Sequence, residues 1–248
     1  MSDDHYSYRL YAERSMADRF DAMRFSGPIG TLLAESQEGV ITSFLGPIDG
    51  RSIVDVGTGT GRAAIGLARG GARVTGVDAS PEMLRVARDR AAAERLDVTF
   101  DVGDAHRLVY KDRAFDCAVS LRVLMHTPDW RRCLAELCRV SAERVVFDYP
   151  AALSAAALQA AGRHLLARAG RRVEAYRVMR GAAIREALGA SGFRIERVHK
   201  QFVLPIAVHK LVGSRAFTRA LEGTLAAVGL LRLFGSPVTV VAVRCDPS

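Results

Sequence analysis

The sequence predicts a doubly wound α/β fold built on a mainly parallel sheet. Three observations predict it. Short apolar runs alternate with helix-like segments at the spacing of βαβ units. The first of these runs ends in an acid followed by glycine at every second position, Asp55–Gly61. The chain has 248 residues, enough for one large domain with its own core.

Residues 6–45 read as helical, interrupted at Gly27–Pro28 and stopped at Gly46–Pro47. Apolar runs at 52–56, 72–78, 96–100, 115–120 and 144–149 read as five strands. Helical segments at 62–69, 81–94 and 129–140 lie between them. Ser80 is an N-cap with Pro81 at the first helical position, and Asp129 caps the helix that begins at Trp130. Residues 151–192 are rich in Ala and Arg and read as helical. Residues 193–204 alternate and read as a long strand, a helical stretch follows, and 237–244 form a final strand. No repeat or linker divides the chain, so 1–248 reads as a single domain with parts 1–45, 46–150 and 151–248.

Composition sets the class. Hydrophobic residues make up 49% and charged residues 25%, the mix of an ordinary globular protein. Four cysteines, Cys117, Cys133, Cys138 and Cys245, include no C-x-x-C pair. A structural metal or disulfide framework is therefore not expected, and a reducing cytoplasm fits. The N-terminus has no signal-peptide pattern, and no run of about 20 apolar residues predicts a membrane span. Residues 144–248 hold 16 basic residues against 6 acidic, while residues 1–143 hold 19 against 21. Only Lys111, Lys200 and Lys210 are lysines, and no stretch has four consecutive basic residues. Arginine-rich coding explains this basicity as well as an anionic partner does.

The chemistry concentrates at strand ends. Gly57, Gly59 and Gly61 permit a tight turn and let a ligand lie against bare peptide groups, with free N–H groups at the start of the next helix. The third glycine of the dinucleotide fingerprint would fall at Arg62, and the G-K-[ST] of a Walker loop is absent. Asp78 ends the second strand, where a carboxylate can accept both hydroxyls of a ribose. Asp104 and Ala105 follow the third strand, where an acid and a backbone N–H can read an adenine. Asp55, Asp78 and Asp104 thus end three successive strands, the edge where open α/β sheets bind ligands.

Asp55–Gly61, residues 74–84, Gly103–Ala105 and residues 115–120 resemble the four consecutive motifs of class I S-adenosylmethionine-dependent methyltransferases. The nearest branch is that of the ubiquinone and menaquinone methyltransferases. The resemblance implies a seven-stranded sheet whose last strand, Val238–Val243, is inserted antiparallel. It implies that 1–45 is a helical lid, 46–150 the cofactor-binding core, and 151–248 the substrate-side helices and closing strands. It sets Asp55, Gly57, Thr58, Gly59 and Gly61 at the methionine end of S-adenosylmethionine, Asp78 on the ribose, and Ala79 and Met83 beside the adenosine. Asp104 and Ala105 would read the adenine, and Leu121 and Arg122 would lie beneath the sulfonium.

Methyl transfer needs alignment, and a base only if the acceptor is protonated. His126, just past the fourth strand, is the candidate base; hydrogen bonding within its loop is the plainer role. Arg24 is a candidate for the cofactor carboxylate, and Tyr6, Tyr8 and Tyr11 for closing over the acceptor. His199 and His209 are expected at the surface. The apolar stretches 202–213 and 225–234 are expected to pack in the core, to wall a greasy pocket, or to make peripheral membrane contact. The expected function is methyl transfer to oxygen or carbon of a small lipophilic acceptor. Two alternatives stand beside it. A nucleic-acid methyltransferase is disfavoured, because Ser120–Val123 lacks the [DNS]-P-P-[YFW] pattern. A non-catalytic cofactor-binding partner subunit is disfavoured by the intact glycine loop and its three acids.

Overall fold

The structure is a computed structural model and describes residues 25–168 and 176–245. Helix α1 spans Gly27–Leu45 and leads to strand β1, Ser52–Val56. Four elements follow: α2 (Arg62–Arg69), β2 (Arg73–Asp78), α3 (Pro81–Ala93) and β3 (Val98–Val102). Then come β4 (Phe115–Ser120), α4 (Trp130–Val140) and β5 (Ser141–Tyr149). The C-terminal part holds α5 (Ala155–Arg168), α6 (Gly181–Ala190), β6 (Phe193–Phe202), α7 (Ile206–Val212), α8 (Arg215–Ala227), α9 (Leu230–Phe234) and β7 (Ser236–Arg244).

The seven strands lie in the order β3-β2-β1-β4-β5-β7-β6. Strands β1 to β5 run parallel, and β7 enters antiparallel between β5 and β6. This is the expected doubly wound, mainly parallel sheet with its last strand inserted antiparallel. The chain winds outward from β1 to β3, then returns to β4 beside β1. The tips of β1 and β4 therefore flank the switch point, where such sheets open a crevice.

Both faces of the sheet are covered, which is why the central strands are apolar throughout. Alternate residues of β1 serve opposite layers. Val54 and Val56 pack with α4 and α6 through Leu134, Leu137, Ile184 and Leu188. Ile53 packs with α1, α2 and α3 through Phe44, Ile65 and Leu84. The C-terminal half of α1 thus belongs to the core: Ile41, Phe44 and Leu45 are buried against the sheet.

Two strand starts depart from expectation by two residues or more. Strand β3 starts at Val98, because Arg95 takes a left-handed φ of 55° and the Leu96 N–H donates back to the Ala91 carbonyl at 2.9 Å. That closure of α3 uses residues the sequence reading gave to the strand. Strand β5 starts at Ser141, directly out of α4, with no Gly or Pro between. The Ser141 hydroxyl donates to the Arg144 carbonyl at 2.7 Å and makes the corner. Ser80 and Asp129 cap α3 and α4 as expected, accepting the N–H groups of Met83 and Arg132.

Candidate active site

A cavity of about 190 Å³ opens at the tips of β1, β2 and β4. A second cleft, beside α1 and α2, holds only about 20 Å³, too little for more than a water. Three segments make one flank of the large cavity: the β1–α2 loop, Asp78–Ser80 with Met83, and Gly103 with Ala105. Leu121, Arg122, Val123, His126, Thr127 and Pro128 make the other.

The glycine loop is folded by its own contacts. Gly57 has φ 74°, and a Cβ there would lie 2.1 Å from Val123 Cγ2. Only glycine lets the loop leave β1 with the other flank so close. Gly61 caps α2 with φ 79°, its absent Cβ 2.8 Å from that of Ala87. Several of the loop's own N–H groups are used internally. Gly57 and Thr58 both donate to the Val77 carbonyl, at 2.7 and 3.0 Å, and Gly61 donates to Thr58. Gly59 donates to Asp78 Oδ2 at 2.8 Å. Closing the gap between the diverging tips of β1 and β2 takes these donors.

Asp55 is buried and accepts from the Thr58 hydroxyl at 2.7 Å and from the Ala64 N–H. Burial pushes its carboxyl up to about 6, against the hydrogen bonds from Thr58 and Ala64. Asp78 Oδ1 accepts the Ser80 N–H at 2.9 Å while Oδ2 takes that of Gly59. Burial raises its carboxyl above the ordinary range, and the N–H donors of Ser80, Gly59 and Ala79 oppose that. Three N–H donors on two oxygens leave the carboxylate capacity for a further donor.

Asp104 behaves differently. Its Oδ1 accepts the His106 N–H at 2.8 Å and meets His106 Nδ1 at 2.7 Å. Its neighbours Gly103 and Ala105 line the cavity, and Asp104 is not among the lining residues. Thr58, Gly59, Ala79, Met83 and Leu121 all line it. Arg24 and Tyr6, Tyr8 and Tyr11 lie outside the described residues.

On the second flank, His126 is mostly buried, and its ring stands 6.1 Å from that of Tyr176. Its N–H donates to the Val123 carbonyl at 2.8 Å, closing a turn. Arg177 ties this turn to the chain before α6: its N–H donates to the Met125 carbonyl at 3.1 Å and its guanidinium to the Thr127 carbonyl.

The sequence reading missed Phe25, Gln37 and Arg62. The Arg62 guanidinium donates to Gln37 Oε1 and lies 4.0 Å over the Phe25 ring, joining the start of α1 to the cavity wall. Arg62 stood out only as the missing third glycine; its partners lie 25 and 37 positions away and carry no local signal. The apolar stretches 202–213 and 225–234 contribute no residue to the cavity. Leu211, Val228 and Leu233 are exposed, so neither a pocket wall nor complete core packing describes them. Expected at the surface, His209 is instead fully buried. Its Nε2 pairs with Glu222 Oε1 at 2.9 Å, and its Nδ1 faces the Thr218 hydroxyl at 3.2 Å. Glu222 also accepts the N–H groups of Val203 and Leu204, locking the end of β6 to α7 and α8.

Residues 53–144 match the methyltransferase-domain family. Methyltransferase GfsG of Streptomyces halstedii is 39% identical over 114 residues, 44% of this chain and 41% of that protein. The demethylmenaquinone methyltransferase of Deinococcus radiodurans is 37% identical over 105 residues, 40% of this chain and 44% of that protein. The matched segments span less than half the length of these relatives. The fold extends further. Magnesium protoporphyrin IX methyltransferase from Synechocystis PCC 6803, solved with S-adenosylhomocysteine, superposes with a TM-score of 0.68 at 20% identity, over 98% of this chain and 100% of that one. The [4+2]-cyclase SpnF shares the fold at a TM-score of 0.61 and 23% identity, over 86% of this chain and 81% of that one. The reaction must therefore be argued from the site.

Proposed function

We propose that the chain, whose residues 53–144 match the methyltransferase-domain family, is a class I S-adenosylmethionine-dependent enzyme that methylates oxygen or carbon of a small lipophilic acceptor. The observation that supports this best is the union of glycine loop and ribose-type acid in one cavity wall, through Gly59 and Asp78. The residues fit the cofactor. Asp78 stands in the cavity wall with acceptor capacity left for a ribose hydroxyl. Asp55 lies in the same wall, where a cationic methionine end relieves the strain of its buried carboxyl. Met83 and Ala105 offer an apolar slot for an adenine.

When bound, S-adenosylmethionine supplies an electrophilic methyl on a cationic sulfur. The chain's own residues orient and shield. Leu121, Val123 and Pro128 give the second flank an apolar surface that excludes water and favours a greasy acceptor. His126 stands on that flank to receive the proton of a hydroxyl acceptor. The relatives named for quinone methylation are consistent with such an acceptor. A cytoplasmic location accords with free, undisulfided cysteines, three of them buried. No helix among the described residues is long and apolar enough to cross a membrane.

A turnover assay tests the proposal. Release of S-adenosylhomocysteine is followed with quinols, phenols and fatty acids beside RNA and polar amines. Turnover on the first group supports the reading; robust methylation of RNA or polar amines alone overturns it.

A further inference from the structure

Two cations line the cavity, Arg62 and Arg122. Arg62 is committed to Gln37 and Phe25. Arg122 is not. Its Nε is buried with no hydrogen-bond partner, and its guanidinium makes no ion pair with any described residue. A buried donor left without an acceptor is costly, so a group of this kind in a cavity wall calls for an explanation, and a bound acceptor supplies one.

The backbone is built to present this side chain. Arg122 follows β4 in the left-handed region at φ 63°, where a residue with a Cβ is strained. Asp148, buried at the end of β5, holds it there by accepting the Arg122 N–H. The carboxylate thus takes the backbone N–H of the turn. Among the described residues the other two non-glycine positions with positive φ, Arg95 and Arg113, do not line the cavity. Arg122 lines the cavity between Leu121 and Val123, in the same segment as His126.

Resting on the methyltransferase reading above, we propose that Arg122 selects an acidic acceptor, pairing with a carboxylate on an otherwise apolar molecule. A planar guanidinium takes a carboxylate through two parallel hydrogen bonds, and the apolar neighbours reject a bare polar substrate. The carboxylate satisfies the buried Nε and fixes the acceptor relative to His126. A carboxylate also exists on the cofactor, and the test separates the two sources.

The protein is first titrated with S-adenosylhomocysteine. The saturated protein is then titrated with decanoate and 4-hydroxybenzoate, and with decanamide and 4-hydroxybenzamide. The wild type should bind at least one acid about tenfold more tightly than its amide. Arg122→Gln should bring each pair within about twofold, and Arg122→Lys should keep part of the preference. Should Arg122→Gln fail to fold, Arg122→Gly removes the guanidinium and relieves the left-handed backbone at once. Equal binding of acids and amides by the wild type, or a preference that survives in Arg122→Gln or Arg122→Gly, overturns the proposal. So does a loss of S-adenosylhomocysteine affinity with the acid preference intact, which assigns Arg122 to the cofactor. Absence of any S-adenosylhomocysteine binding overturns the underlying reading as well.

Discussion

Asp78 Oδ2 accepts the Gly59 N–H at 2.8 Å, so the glycine loop after β1 and the acid after β2 are one unit. Replacing Asp78 therefore removes a ligand and a support for the loop together. Asp78→Ala should weaken cofactor binding by about 2–4 kcal/mol. Asp78→Asn should do nearly as badly, since its amide turns a donor toward the N–H of Gly59 or Ser80. Calorimetry with S-adenosylhomocysteine checks both; unchanged affinity removes the ribose role from Asp78.

Gly57 and Val123 meet across the cavity floor. Gly57→Ala combines positive φ with a Cβ 2.1 Å from Val123 Cγ2, and should destabilise the fold by about 1–3 kcal/mol. Val123→Ala in the same chain should restore the steric part but not the backbone part. Urea unfolding of the two single variants and the double variant measures the coupling. Purely additive effects would show that the two residues do not touch.

The raised carboxyl of Asp55 gives a pH dependence with a definite sign. Its ordinary value is 3.8 and its folded value about 6. Protonated Asp55 thus favours the fold below about 4, and that contribution is lost as the pH rises through about 6. A cationic methionine end prefers the ionised form. Affinity for S-adenosylhomocysteine should fall by up to about tenfold per unit below pH 6 and level off above it. Asp55→Asn should flatten that slope. A pH-independent affinity from 5 to 8 in the wild type, by calorimetry, contradicts the pairing.

If His126 takes a proton from the acceptor, His126→Ala should lower kcat by about 10²–10⁴-fold with cofactor affinity intact. A loss below about tenfold at saturating acceptor would assign it an aligning role only.

The His209–Glu222 pair makes a structural prediction away from the cavity. Glu222→Ala orphans His209 and two backbone N–H groups and should cost about 2–5 kcal/mol in urea unfolding. Cofactor affinity of the folded variant should be unchanged, because neither α7 nor α8 lines the cavity. A large loss of affinity would reveal coupling between this cap and the site.

What was legible in the sequence was written in local punctuation. Glycines end β1, Ser80–Pro81 opens α3, and acids mark the strand tips, so the sheet and one flank of the cavity could be read directly. The start of β5 was not legible, because the corner at Ser141 is made by a hydroxyl and not by a breaker. Distant contacts hid the rest. The left-handed turn at Arg122 depends on Asp148, and burial of His209 depends on a carboxylate 13 residues further on. The contact of Asp104 with His106, two residues later, carried no signal of its own.

The central claim is that the cavity at the tips of β1, β2 and β4 takes S-adenosylmethionine. Calorimetric titration of the folded wild-type chain with S-adenosylhomocysteine, at neutral pH and with metal chelated, tests it most directly. Saturable binding at a single site, competed by S-adenosylmethionine and lost in Asp78→Ala, is the expected result. No saturable binding by a chain whose circular dichroism shows it folded, or binding undiminished in Asp78→Ala, would contradict it.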